Sequence, residues 1–231
     1  YRTIPLQDDF TVKIEDYFNL KNCQGIIIAN PNAPTTLEMN KGGIEQIVIH
    51  NPDKVIIIDE AYADFGTYDC IDLAKKYNNV LIVRTFSKGW SLAGIRCGFA
   101  FGSTELIKGL EKIRDCFNSY SVDRMTQAAA SACVQDVQYM KACVNKVIYT
   151  RDRIIGELKR LGYNVFDSKT NFIFMTRQGF DAKSIYQKFK ESKILVRHFN
   201  LPKIHNYLRV TIGTDEQMDK FLEVLKEIDR F

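Results

Sequence analysis

Val80-Leu81-Ile82-Val83-Arg84-Thr85-Phe86-Ser87-Lys88-Gly89-Trp90-Ser91-Leu92-Ala93-Gly94-Ile95-Arg96 opens as an apolar run and then turns polar. Four consecutive apolar residues suit a strand buried on both faces, as in a largely parallel sheet. The turn that follows gathers two hydroxyls, an amine and a guanidinium among small residues. It sits where a strand ends, which is where sheets of this kind bind ligands.

The same grammar repeats on either side of that stretch. Gly25-Ile26-Ile27-Ile28-Ala29 is a short apolar run that ends in Asn30-Pro31-Asn32-Ala33-Pro34, and a helix is expected over about 41–50. Lys54-Val55-Ile56-Ile57-Ile58 is another strand, ending at Asp59, and a short helix near 71–77 leads back to Val80. Cys97-Gly98-Phe99-Ala100-Phe101 supplies a fourth strand. Strands alternating with helices predict an α/β fold with a mostly parallel sheet. From about 103 to 161 the pattern is helical, with Ser103 as the first N-cap and a long helix over 137–161. The last 70 residues change style. Strands are expected at 164–166, 171–175, 194–197 and 207–211, with a helix over 182–191. Thr214 or Asp215 caps a final helix whose apolar face is Met218, Phe221, Leu222, Leu225 and Ile228. The expected division is a partial large domain over 1–140, then a linking helix and small α+β domain over 141–231.

Composition narrows the class. The 231 residues are 45% hydrophobic and 26% charged, ordinary for a globular chain. A formal charge of +4, without a basic stripe carrying interleaved aromatics, points away from nucleic acid. No apolar run approaches the roughly 18 residues of a membrane span, and no secretory signal opens the chain. Cys23, Cys70, Cys97, Cys116, Cys133 and Cys143 show no metal-binding spacing, so they read as reduced thiols of a cytoplasmic protein. His50, His198 and His205 likewise lack metal spacing, and no metal site is expected.

The chemistry of the polar turn is specific. Thr85, Ser87 and Arg96 suit a phosphate if the segment folds back as a loop. Lys88 beside them suits a carbonyl that becomes a Schiff base. Pyridoxal phosphate carries both groups. A nucleotide-binding P-loop is excluded because no GxxxxGK[ST] precedes a helix. A Ser-x-x-Lys hydrolase is excluded because Ser87 and Lys88 are adjacent. Asp59 can cap a helix, bind a metal or pair with a protonated ring nitrogen. The last role would keep a pyridine ring charged and able to absorb electrons. Tyr62 suits either the core or the phenolic oxygen of the ring. Trp90 reads as packing, and Asn118 and Asn171 as turn asparagines.

In this order, the Asn-Pro turn, Asp59-Glu60-Ala61-Tyr62 and Ser87-Lys88 with Arg96 eight residues on resemble the fold-type I pyridoxal-phosphate aminotransferases. Ile194-Leu195-Val196-Arg197-His198-Phe199 and Tyr207-Leu208-Arg209-Val210-Thr211-Ile212-Gly213-Thr214 make the chain most similar to the histidinol-phosphate aminotransferase group. The likeness runs over nearly the whole chain. It implies that Lys88 attaches the cofactor and moves the reacting proton, and that Asp59 pairs with the ring nitrogen while Tyr62 bonds the ring oxygen. It implies phosphate contacts from Thr85, Ser87 and Arg96. Arg209 and Arg197 become clamps for the anionic ends of histidinol phosphate, glutamate and 2-oxoglutarate, in ping-pong transamination. A homodimer is implied by resemblance alone.

Three departures qualify these expectations. The family carries asparagine just before Pro34, where this chain has Ala33, so either Asn32 is expected to take over its contact with the ring or Tyr62 to suffice alone. The family carries glycine at position 36, where this chain has Thr36. The upstream third of the family is expected to be missing, and with it part of the phosphate cup, so the chain by itself is expected to bind cofactor poorly and to be inactive. Threonine-phosphate decarboxylase and aromatic or broad-range aminotransferases share the Lys88 machinery. A non-catalytic fragment that keeps only the fold is the reading from another class.

Overall fold

The computed structural model describes residues 1–228. Four strands, β1 (Gly25–Ala29), β2 (Val55–Asp59), β3 (Val80–Thr85) and β4 (Gly98–Gly102), form one sheet in that order. The first three strands run parallel, and β4 returns antiparallel to β3. The connections explain this. Helix α1 (Lys41–Ile49) carries the chain from β1 to β2 and α2 (Ile71–Lys76) from β2 to β3, whereas β3 reaches β4 through the polar turn alone. Parallel neighbours need a crossover, and an antiparallel neighbour needs only a turn. Both helices pack on the same side. Ile26, Ile28, Ile56, Ile58, Val80 and Ile82 meet Ile44, Ile47, Val48 and Leu73 in one cluster.

The expectation that these strands are buried on both faces needs correction. Residues alternate between faces along a strand, and Ile27, pointing opposite to Ile26 and Ile28, is 73% exposed. Phe101 on β4 is also exposed. An apolar run therefore marks a sheet strand here without marking cover on both sides.

The helical middle is three helices. α3 (Thr104–Phe117) begins at Ser103, whose Oγ accepts the Leu106 N–H as expected. α4 (Arg124–Gln135) is capped by Asp123 and α5 (Val137–Arg160) by Asp136. Among their apolar side chains, Ile113, Phe117 and Met125 are exposed. The C-terminal half of α5 is different, with Ile154, Ile155 and Leu158 buried against a second sheet.

That sheet contains β5 (Asn164–Val165), β6 (Phe172–Thr176), β7 (Arg197–His198) and β8 (Leu208–Thr211), ordered β5-β6-β8-β7 and antiparallel throughout. The strand expected at 194–197 is reduced to Arg197 and His198, the two residues that pair with β8. Ile194 and Val196 instead pack against the core from outside the ladder. Helices α6 (Ala182–Glu191) and α7 (Asp215–Ile228) cover the sheet. The apolar face read from sequence for α7, from Met218 to Ile228, is buried as expected.

Two links draw the sheets together. Arg151, buried in α5, donates from Nη1 to the Phe65 and Thr170 carbonyls, each at 3.1 Å. The Lys169 N–H donates to the Thr36 carbonyl at 2.9 Å.

Candidate functional site

Asp59 is the last residue of β2, in register with Ala29 on one side and Val83 on the other. Its Oδ1 accepts the Ala61 N–H at 3.0 Å, an Asx-type bond that turns the chain off the sheet. A short 3₁₀ helix over Ala63–Phe65 follows, with Tyr62 at its start. The ladder thus delivers the acid and the tyrosine to one end of the parallel strands.

The neighbouring strand delivers the hydroxyls and the amine. Thr85 Oγ1 accepts the Ser87 N–H at 3.0 Å and donates to Ser87 Oγ at 2.9 Å. The segment folds back, as a phosphate-holding loop requires. Phe86 N–H reaches the Cys97 carbonyl, Leu92 N–H reaches the Phe86 carbonyl, and Ser91 N–H reaches the Lys88 carbonyl. Lys88 Nζ lies 5.4 Å from the centre of the Tyr62 ring, so the two strand ends meet at these side chains. Arg96 lies elsewhere in its contacts. It is exposed, adopts φ +53°, and donates from Nη1 to the Ala93 carbonyl at 2.9 Å.

From Tyr62 an aromatic path leads to the second sheet. Tyr62 packs edge-on against Phe172, with centroids 5.2 Å apart. The Arg209 guanidinium lies 4.7 Å over Phe172 and 5.7 Å over Phe199. Arg197 lies 5.5 Å over the same Phe199 ring and is the register partner of Arg209. Like charges directly opposite each other in a sheet repel, and neither arginine makes an ion pair among the described residues. Arg209 Nε is buried and without a hydrogen-bond partner. Buried guanidinium nitrogens are ordinarily bonded, so this pair fits an incoming anion. The resemblance implied both arginines as clamps, but Phe172, which separates Tyr62 from Arg209, was missed. Its only signal was an aromatic at the head of a strand.

The Asn-Pro turn holds Asn32 near β1, with its Oδ1 occupied by the Thr35 hydroxyl at 2.9 Å. Asn30 was also missed. It is buried, accepts the Met39 N–H at 2.7 Å and donates to the Tyr68 hydroxyl at 3.0 Å, which ties the turn down. Thr36 is fully buried at φ +70° with an unbonded hydroxyl.

A charged cluster lies behind the site. Arg84, on β3 immediately before Thr85, gives Nε and Nη2 to one oxygen of Glu60, both at 3.0 Å. Its Nη1 lies 3.6 Å from Asp64, and Nη2 lies 3.5 Å from the half-exposed Asp69. The other Glu60 oxygen accepts the Cys70 N–H at 2.6 Å. Burial pushes the Glu60 and Asp64 carboxyls above their ordinary range, and the Arg84 guanidinium only partly offsets this.

Known proteins align with this geometry. The family described as aminotransferase class I and II matches residues 1–225. A histidinol-phosphate aminotransferase of Brachyspira hyodysenteriae is 52% identical over 226 residues, which cover 97% of this chain and 63% of that protein. A histidinol-phosphate aminotransferase of Clostridium botulinum strain Okra is 45% identical over 228 residues, 99% of this chain and 64% of its own length. This chain therefore spans just under two thirds of the relatives it matches. In fold, it is similar to the crystal structure of a Sinorhizobium meliloti histidinol-phosphate aminotransferase in complex with pyridoxal-5'-phosphate. That similarity has a TM-score of 0.86 and 25% identity, over 98% of this chain and 64% of the other.

Proposed function

Because this chain belongs to the class I and II aminotransferase family, we propose that the complete protein is a pyridoxal-phosphate-dependent aminotransferase. Its amino donor is histidinol phosphate, the substrate in the names of the relatives above, and 2-oxoglutarate is the acceptor in this reading. The observation that carries this reading is the line from Lys88 through Tyr62 and Phe172 to the Arg209–Arg197 pair. The amine at one end and two arginines without an ion pair among the described residues at the other support it.

The donor set suits the cofactor. Thr85 and Ser87 hydroxyls would hold its phosphate together with the exposed Arg96. Asp59 would stand against its ring nitrogen and Tyr62 against its ring oxygen, with Asn32 as a further contact. When bound, the cofactor supplies an electron sink for the charge released at the substrate carbon. This chain's residues do the rest. Lys88 holds and moves the proton at its Nζ. Asp59 as a carboxylate favours a protonated ring nitrogen. Arg209 and Arg197 orient either substrate by its anionic end, since a guanidinium fork suits both carboxylate and phosphate. The division into a cofactor-holding unit over 1–140 and a smaller unit over 141–231, a homodimeric assembly and a cytoplasmic setting all belong to this proposal.

The test uses the complete protein with histidinol phosphate and 2-oxoglutarate. Lys88→Ala abolishes turnover, whereas Arg209→Gln raises KM for both substrates by about tenfold or more, the cost of one charge-assisted contact. Wild-type activity only toward threonine phosphate or phenylalanine would replace the substrate assignment. Full activity in Lys88→Ala would remove the role given to Lys88, and a wild type inactive toward all of these substrates would remove the enzyme reading.

A further inference from the structure

Two members of the Arg84 cluster adjoin residues assigned to the cofactor. Arg84 precedes Thr85. Glu60 follows Asp59, and its N–H continues the ladder to the Val83 carbonyl at 2.8 Å. Asp64 lies two residues beyond Tyr62. It also packs against the backbone beside Lys88, where a Cβ built on Gly89 would sit 2.3 Å from Asp64 Oδ2. One guanidinium therefore grips both segments that carry the candidate chemistry, the one after β2 and the one at the end of β3.

Burial makes this grip directional. The Glu60 side chain is 1% exposed, Asp64 12% and Arg84 16%. A charge pair at such depth is held by geometry and hydrogen bonds, and removing one partner leaves an uncompensated charge. Parallel strands alone fix where Asp59 lies relative to Val83. They do not fix where the chain goes after each strand has left the ladder. The guanidinium fork does so, because Glu60 and Asp64 reach different nitrogens of one planar group. Glu60 extends the brace to α2 through the Cys70 N–H.

We infer that Arg84 is a positioning residue that sets the Asp59–Tyr62 segment against the Thr85–Lys88 loop by bridging Glu60 and Asp64. The inference rests on the cofactor reading above. A lysine in its place keeps the charge but loses the fork, and a methionine loses both.

Pyridoxal phosphate added to the complete protein tests the inference. The readouts are its dissociation constant, the pH midpoint of its visible absorbance band, and the melting temperature without cofactor. Arg84→Met is expected to weaken binding at least tenfold and to shift the pH midpoint, and Arg84→Lys to recover part of both. A purely structural role would lower the melting temperature and leave the pH midpoint unchanged. If Arg84→Met does not fold, Asp64→Asn decides in its place, with weaker binding and a shifted midpoint expected. Folded variants that keep wild-type binding and midpoint overturn the inference. A wild-type protein without any visible band, or a band that survives Lys88→Ala, overturns the cofactor reading itself, and the inference falls with it.

Discussion

Thr36 adopts φ +70° with its side chain fully buried and its hydroxyl unbonded. A left-handed conformation costs an ordinary L-residue roughly 1–2 kcal/mol, and a branched Cβ is poorly suited to it. An orphan buried hydroxyl adds about 1–3 kcal/mol. Glycine removes both penalties while losing roughly 0.5–1 kcal/mol to its freer unfolded chain. Thr36→Gly is therefore expected to raise unfolding stability by about 1 kcal/mol or more, read from the urea midpoint. Thr36→Ala, which removes only the hydroxyl, should gain less. A Thr36→Gly chain that unfolds earlier than wild type would show that threonine packing outweighs the backbone strain. The resemblance marked this position from sequence, but the reason appears only in the fold. The Thr36 carbonyl accepts the Lys169 N–H, which holds the turn in a conformation that suits glycine. The meeting of Lys88 with Tyr62 was legible because each follows a strand that a local apolar run announces. Phe172 was not, because the residues it joins lie far apart along the chain.

The buried carboxylates after β2 make that element sensitive to pH. Glu60 and Asp64 are pushed above their ordinary values of 4.5 and 3.8, chiefly by burial. The native state then binds more protons than the unfolded chain, so stability falls as pH rises. Their contribution is fully present below those ordinary values and is lost as pH climbs through the raised ones. Exposed carboxylates whose values are lowered, such as Asp72 and Asp215, act in the opposite sense and obscure this trend in the wild type. The difference between wild type and Glu60→Gln isolates it. Urea unfolding across mildly acid to neutral pH should show wild type losing stability relative to Glu60→Gln as pH rises. A difference that stays flat, or grows in favour of wild type, would contradict the assignment. Helix boundaries were largely legible, because Ser103 and the periodic apolar face of α7 are local signals. The end of the strand expected at 194–197 was not, since pairing with β8 rather than local preference decides it.

At the scale of the molecule, the candidate site exists only if the two sheets stay together, and Arg151 lies at their junction. It spans from Phe65, three residues beyond Tyr62, to Thr170, two residues before Phe172. Tyr62 and Phe172 are the contact that connects Lys88 to Arg209. Nothing in the sequence announced this role, because an arginine inside a helix reads as a solvated face until the fold shows it buried. Sheet cover was illegible for a related reason. Ile27 and Phe101 look like core residues, and only the arrangement of neighbouring elements reveals them as exposed. Arg151→Met keeps most of the aliphatic stem but leaves two carbonyls without their donor. Each such loss costs about 1–3 kcal/mol, so destabilisation of roughly 2–6 kcal/mol is expected. The form of the transition is the sharper readout. Trp90, the only tryptophan, reports on the first sheet by fluorescence. Amide exchange at Ile173, Phe174 and Val210 reports on the second. In wild type the two probes should lose structure together, while in Arg151→Met they should separate along the urea axis. If both probes still move together and the midpoint stays within about 0.5 kcal/mol of wild type, typical of a neutral surface change, the sheets are joined by packing around Tyr62 and Phe172 and not by the buried guanidinium.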